Sequence, residues 1–283
     1  MIDLACTLAL LSMLAAVGVA YAARVARSGA VHDGRVEQAG SSALLGKGLM
    51  EAGYWGFTPV ARALSALGFT ANGVTLFSLV LGIAGAIALA AGRFGVGALL
   101  TGVAAVCDAL DGIIARQTGT ASDAGEVFDA AVDRYQEFFF LAALAVYFRA
   151  DAMPLVLSLL ALLGSFMVSY GTAKAEALQV PSPRGAMRRA ERALYLGAGV
   201  LFVPVTQALA QRYGLPVWVG HAPILVALAL VGVVGNVSAA RRLAAIARAV
   251  AVRDASREGA RRPSPSPIPD DDVANDAVQQ GAR

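Results

Sequence analysis

ANGVTLFSLVLGIAGAIALAAGRFGVGALLTGVAAVCDALDGIIARQ, residues 71–117, decides the fold. Residues 71–92 carry no charge, and about 20 apolar residues are enough for a helix to cross a bilayer. Gly92-Arg93-Phe94-Gly95 interrupts the run, so it reads as two antiparallel spans, 71–92 and 94–116. Working outward, further apolar runs at 2–22, 124–149, 152–178, 190–211 and 217–240 bring the total to seven. The chain of 283 residues is 57% hydrophobic and 15% charged, well below the roughly 25% charge of a soluble domain. These features predict an all-α integral membrane protein and exclude a soluble enzyme, a disulfide-rich secreted domain and a membrane β-barrel, which would show short alternating strands. Cys6 and Cys107 both lie in apolar runs, which leaves no disulfide framework or zinc site.

Charge orients the bundle. Leu4–Ala20 is preceded by Asp3 and followed by Arg24 and Arg27, the polarity of a retained span with its N-terminus outside, not of a cleaved leader. With that start, only Arg93, Arg149 and Arg212 of the 23 Lys and Arg residues fall at the outer face. The remainder lie on the inner side, as the positive-inside rule requires. The net charge of +3 thus reports topology, and no nucleic-acid partner is expected. Four regions follow: residues 1–43, a membrane anchor and cytoplasmic linker; 44–70, an interfacial helix with Tyr54 and Trp55 at headgroup level; 71–250, the transmembrane bundle; and 251–283, a solvated, disordered cytoplasmic tail.

Acids inside spans are costly and mark function. Asp108 and Asp111 are spaced i, i+3 near the end of one span; Asp129 and Asp133 are spaced i, i+4 near the start of the next. Each pair shares a helix face, and the short connection 117–123 predicts neighbouring helices whose acids meet at one depth. Such carboxylates repel unless a cation joins them. Oxygen donors without His or Cys suit Mg²⁺, Mn²⁺ or Ca²⁺, and four of them suit a two-ion site of the kind used in phosphoryl chemistry. Gly112, Ala115 and Gly125 leave space beside the acids, and Arg116 offers a phosphate fork. A cation transporter's binding site is the competing use of the same residues. Ion pairing within the bundle accounts for them poorly, because only Arg116 and Arg134 lie nearby in sequence.

Asp108-x2-Asp111-Gly112-x2-Ala115-Arg116-x8-Gly125-x3-Asp129-x3-Asp133 resembles the full signature of the CDP-alcohol phosphotransferases over about residues 50–250. The resemblance implies a six-helix transmembrane bundle with an interfacial helix, to which this chain adds one N-terminal transmembrane helix. It implies transfer of a phosphatidyl group from CDP-diacylglycerol to a small alcohol with release of CMP, in a homodimer of the inner membrane whose site faces the cytoplasm. Carried over by position, Asp108, Asp111 and Asp129 hold two Mg²⁺ or Mn²⁺ ions. Asp133 completes the site and acts as general base. Gly112, Ala115 and Arg116 line the CMP pocket beside Gly125, with Asn72 and Thr75 as an Asn-x-x-Thr nucleotide contact and Ser122 as a matching hydroxyl.

Residues 169–192, SYGTAKAEALQVPSPRGAMRRAER, resemble the acceptor segments of the phosphatidylinositol phosphate synthase branch. There, Lys174, Arg189 and Arg192 stand at positions that hold the phosphate of inositol phosphate. Lys174 replaces an arginine, Thr172 replaces a lysine and Ala190 replaces a proline, so a cation is missing at Thr172 and a bidentate fork at Lys174. Arg184 and Arg188 fit equally a topology-setting role. A phosphorylated polyol is the expected acceptor, inositol phosphate first and glycerol 3-phosphate second, with an uncharged alcohol as a further alternative.

Overall fold

The computed structural model describes residues 2–28, 47–181 and 185–261, with side chains described except at 28, 47–55 and 258–261. Among the described residues there are helices and no strands: α1 Ile2–Ser28, α2 Lys47–Ala66, α3 Ala71–Ala90, α4 Phe94–Gln117, α5 Asp123–Tyr147, α6 Ala152–Ala177, α7 Arg189–Arg212, the single turn α8 Val217–Gly220, and α9 Ala222–Arg261. Six of these are long and apolar enough to cross a membrane. α5 has the same length, but its first turns carry the acids at 123, 126, 129 and 133. The expected positions of Tyr54, Trp55 and Arg184 lie outside the described residues or side chains, as do the linker at 29–46 and residues 262–283.

Three boundaries differ from expectation, the first being α1, which runs past 22 to Ser28. The last span begins at Ala222, after α8 has turned the chain over the end of α7. It then continues for 40 residues to Arg261, so residues 251–261 are helix, not tail. An Ala- and Arg-rich sequence favours helix through this stretch. At 1.5 Å per residue α9 is about 60 Å long, twice the hydrocarbon core, so its C-terminal part leaves the membrane. Arg253 holds that part back on the bundle by donating from Nη1 to the Leu178 carbonyl at the end of α6, 2.6 Å away.

The packing order matters for the site. α3 packs on both α4 and α5, whereas among the described residues α4 and α5 make no close backbone contact with each other. The expectation that a short connection makes them packed neighbours is therefore corrected: Gly119, at φ +69, opens the turn between them, and α3 backs the gap. α6 pairs most extensively with α9. Gly164 lies against Gly235 and Asn236, and Asn236 Nδ2 donates to the carbonyls of Leu160 and Gly232 at 2.8 and 2.6 Å. Small residues and one polar clasp are the usual means of close helix approach in lipid.

α1 is seated by its first turn. Asp3 pairs with Arg93 at 2.7 Å and accepts from the backbone N–H groups of Gly95 and Val96, capping α4. Gly95 is required there, since a Cβ would come 1.9 Å from the Asp3 carbonyl oxygen. α1 thus starts at the end of the bundle where α4 starts, and it packs on α4 and α7.

That same end is closed by His221, which sits among Phe94, Tyr147 and Phe148. Nδ1 donates to the Val217 carbonyl at 3.2 Å, leaving Nε2 to accept from Tyr147 Oη at 2.8 Å and Gln207 Nε2 at 3.1 Å. Burial pushes the imidazole below its ordinary value, against smaller opposing effects of the Val217 carbonyl and Asp151. The unfolded chain then takes up the proton at higher pH than the folded one. Stability is therefore full above about pH 6.5 and falls as pH drops through that value. We expect the melting temperature in detergent to fall between pH 7 and pH 5, and His221→Gln to flatten that dependence; an unchanged slope in the variant would assign it to other groups.

Candidate active site

The acids lie at the opposite end, where α4 finishes and α5 begins. One carboxylate oxygen from each of Asp108, Asp111 and Asp129 lies within 4.8 Å of the others. Asp111 is 5% exposed and Asp133 7%. Asp129 Oδ1 is buried and meets no hydrogen-bond donor among the described residues. A buried carboxylate oxygen left without a donor, beside two further acids, fits a hard divalent cation, and the donor set contains neither His nor Cys. Asp133 joins the group through Arg189, whose Nη2 pairs with Asp133 and whose Nη1 lies 3.3 Å from Asp108 Oδ2.

The surroundings of these acids are partly those expected. Gly112 gives room to the guanidinium of Arg116, since a Cβ there would sit 3.1 Å from Arg116 Nη1. Ala115 is half-buried beside the exposed Arg116. Gly125 faces Asn72, whose Oδ1 would be 3.9 Å from a Cβ at that glycine, so the starts of α3 and α5 border one space. Ser122 acts locally, as the N-cap of α5, and accepts from the Gly125 N–H at 3.2 Å. Thr75 lies directly against one of the acids. It is 2% exposed, and its hydroxyl lies 2.5 Å from Asp111 Oδ2 and 3.0 Å from the Ala71 carbonyl. Its buried hydroxyl is placed to orient that carboxylate.

On the basic side Arg192 is buried. It is 1% exposed, with Nε and Nη2 forked onto Glu137 at 2.7 and 3.0 Å and Nη1 donating to the Met187 carbonyl at 2.8 Å. These bonds brace Met187, at the start of the 187–189 segment, against Glu137 of α5. Glu191 completes that brace by accepting from the N–H groups of Met187 and Arg188. Lys174 is exposed on the last turn of α6, about 200° around the helix from Thr172.

The cation beside Thr172 is Arg242, which sequence reasoning missed. It comes from α9, is 7% exposed, and donates from Nη1 to Thr172 Oγ1 at 2.5 Å. Its Nε is buried without a hydrogen-bond partner among the described residues. Gly185 admits the guanidinium, because a Cβ there would be 3.3 Å from Nη2. One turn earlier, Ser238 donates to the Ala186 carbonyl at 2.7 Å and ties the 185–188 segment to α9. The signal available in the sequence is an Arg241-Arg242 pair at the inner end of a span, which reads as topology until α9 is seen against α6.

The fold and site together define a polytopic membrane enzyme with a carboxylate metal centre at one end of its bundle. The sequence profile of the CDP-alcohol phosphatidyltransferase family matches residues 69–252, and the chain belongs to that family. It is 35% identical over 161 residues to the phosphatidylinositol phosphate synthase of Mycobacterium tuberculosis strain H37Rv, covering 54% of this chain and 74% of the relative. It is 32% identical over 180 residues to the bifunctional IPC transferase and DIPP synthase of Rubrobacter xylanophilus, covering 62% of this chain and 36% of that protein. Among solved structures it resembles the M. tuberculosis phosphatidylinositol phosphate synthase with CDP-DAG bound, at TM-score 0.56 and 26% identity over 67% of this chain and 92% of that one. The same enzyme with manganese and citrate gives TM-score 0.58 and 25% identity, over 67% and 88%. The chain is thus a membrane-embedded transferase of phospholipid synthesis; α1 lies outside the matched region.

Proposed function

We propose that this enzyme transfers the phosphatidyl group of CDP-diacylglycerol to the hydroxyl of a phosphorylated polyol, inositol phosphate in the first place, releasing CMP. The observation that carries the reading is the juxtaposition of the acidic cluster with a guanidinium cluster. Asp108, Asp111, Asp129 and Asp133 meet Arg189, while Arg188 and Arg242 lie just beyond, on the segment and helix that Arg192 and Ser238 brace. A donor pyrophosphate suits the first group and an acceptor phosphate the second.

Asp108, Asp111, Asp129 and Asp133 would hold two Mg²⁺ or Mn²⁺ ions, which neutralise pyrophosphate charge when bound. Asn72, Gly112, Ala115, Arg116 and Gly125 border the space for the CMP half. Arg189, with Arg242 in place of the expected Lys174 and Arg192, orients the acceptor. Asp133 takes the hydroxyl proton as the oxygen attacks the lipid-side phosphorus; the new P–O bond forms as the bond to the CMP oxygen breaks. An ionised carboxylate is a weak base, so positioning supplies much of the rate. The site opens to the cytoplasm, supported by the placement of Arg93, Arg149 and Arg212 at the other end. A homodimer belongs to this reading and is checked by the mass of the protein in detergent.

The test is CMP release by purified protein with CDP-diacylglycerol and Mg²⁺, across inositol 1-phosphate, glycerol 3-phosphate, free inositol and serine. Release with a phosphorylated polyol alone, abolished by a chelator, is the expected result. Equal release with free inositol or serine overturns the acceptor assignment. Cation flux in proteoliposomes without CMP release overturns the reaction.

A further inference from the structure

The two helices that carry the acids do not pack on each other, so something else must set their separation. α3 is the only element among those described that packs closely on both. On α4 its link is Thr75 Oγ1 to Asp111 Oδ2. On α5 its link is Gln136, whose Nε2 donates to Ser78 Oγ at 2.8 Å. Ser78 is fully buried and donates its own hydroxyl hydrogen bond to the Thr75 carbonyl at 2.7 Å. A chain of contacts therefore runs from α5 through Ser78 and Thr75 of α3 to a carboxylate of α4.

The sequence is laid out for this chain. Asp129, Asp133 and Gln136 are spaced four and three residues apart and share a face of α5; Thr75, Ser78 and Gly82 do the same on α3. Gly82 leaves the channel through which Gln136 passes, since a Cβ there would meet Gln136 Cγ at 3.2 Å. Polar side chains one turn deeper in the bilayer than the acids are costly to place unpaired, and here Gln136 Nε2 is paired with Ser78 and Ser78 with the Thr75 carbonyl.

We infer that Gln136 and Ser78 are positioning residues that set the spacing between the Asp108–Asp111 and Asp129–Asp133 pairs. Neither touches substrate; they act through Thr75 and through the placement of α5. This rests on the metal-centre reading above. It predicts that cutting the chain weakens cation binding more than it weakens the fold.

The experiment is Mn²⁺ binding to the full-length protein in detergent, followed by loss of the free-ion resonance signal, for wild type, Gln136→Leu, Ser78→Ala and the double variant. Each single change is expected to raise the Mn²⁺ dissociation constant about tenfold, the size typical of supports behind metal ligands. The Mg²⁺ concentration for half-maximal CMP release should rise in parallel, with the KM for the acceptor unchanged. The double variant should be no worse than either single one, because both break one chain. A lowered melting temperature with unchanged Mn²⁺ affinity would make the pair packing glue and overturn the inference. If Gln136→Leu does not fold, Ser78→Ala decides alone, since it removes only one oxygen. Wild type that binds no Mn²⁺ sinks the metal-centre reading itself, which separates the two failures.

Discussion

Asp111→Asn is expected to abolish measurable CMP release, a fall of at least about a thousandfold, while the protein still folds and inserts. The change is nearly isosteric, and the amide oxygen can still accept from Thr75, so the α3–α4 contact survives. What goes is the charge of a buried acid in a group of three whose oxygens lie within 4.8 Å. Removing a charge from a site built to hold cations loses both an ion contact and the neutralisation on which leaving of CMP depends. Mn²⁺ binding should weaken with turnover, and the melting temperature should hold or rise, because one source of repulsion is gone. Asp133→Asn is the companion: its kcat falls by about 10²–10⁴ if it takes the acceptor proton. Robust turnover in either variant would remove these residues from the chemistry.

Arg242→Met is the second large effect. Its guanidinium lies beside Thr172 with Nε unpartnered among the described residues, inside a space that Gly185 and Gly171 leave open. A charge-assisted contact to a phosphate contributes about 1.5–3 kcal/mol, so the KM for the phosphorylated acceptor should rise roughly tenfold to a hundredfold. The KM for CDP-diacylglycerol and the Mn²⁺ affinity should stay where they are, because Arg242 touches none of the acids. Arg242→Lys keeps the stem and the charge but not the fork, and is expected to recover only part of the loss. Unchanged acceptor KM in Arg242→Met would return this arginine to a topological role. Thr172→Lys offers a converse check. A lysine there would crowd Arg242, so acceptor binding should worsen, not improve.

Most of the architecture is legible from composition and spacing. Charge-free runs such as 71–92 fix span length, because a bilayer leaves a backbone segment few options besides a helix. The i, i+3 and i, i+4 spacing of the acids fixes which face carries them, because that is a property of one helix. The extension of α9 to Arg261 is less legible, because the change of composition there reads as the end of order, although Ala and Arg continue a helix well.

What the chain alone does not settle are the relations between helices. Thr75 and Arg192 read as ligand contacts by position, and only the fold shows that both are buried and bonded to Asp111 and to Glu137. Arg242 reads as topology, yet α9 brings it across to Thr172, 70 positions away in the chain. Asp129 and Asp133 are expected to face the other acids across a packed helix pair, yet α3 stands behind both helices and sets the gap. Periodicity along one helix is local and is written in the sequence. Which helix packs against which depends on contacts far apart in the chain, on small residues such as Gly164 and Gly82 that permit close approach, and on buried hydrogen bonds that form only when the bundle closes.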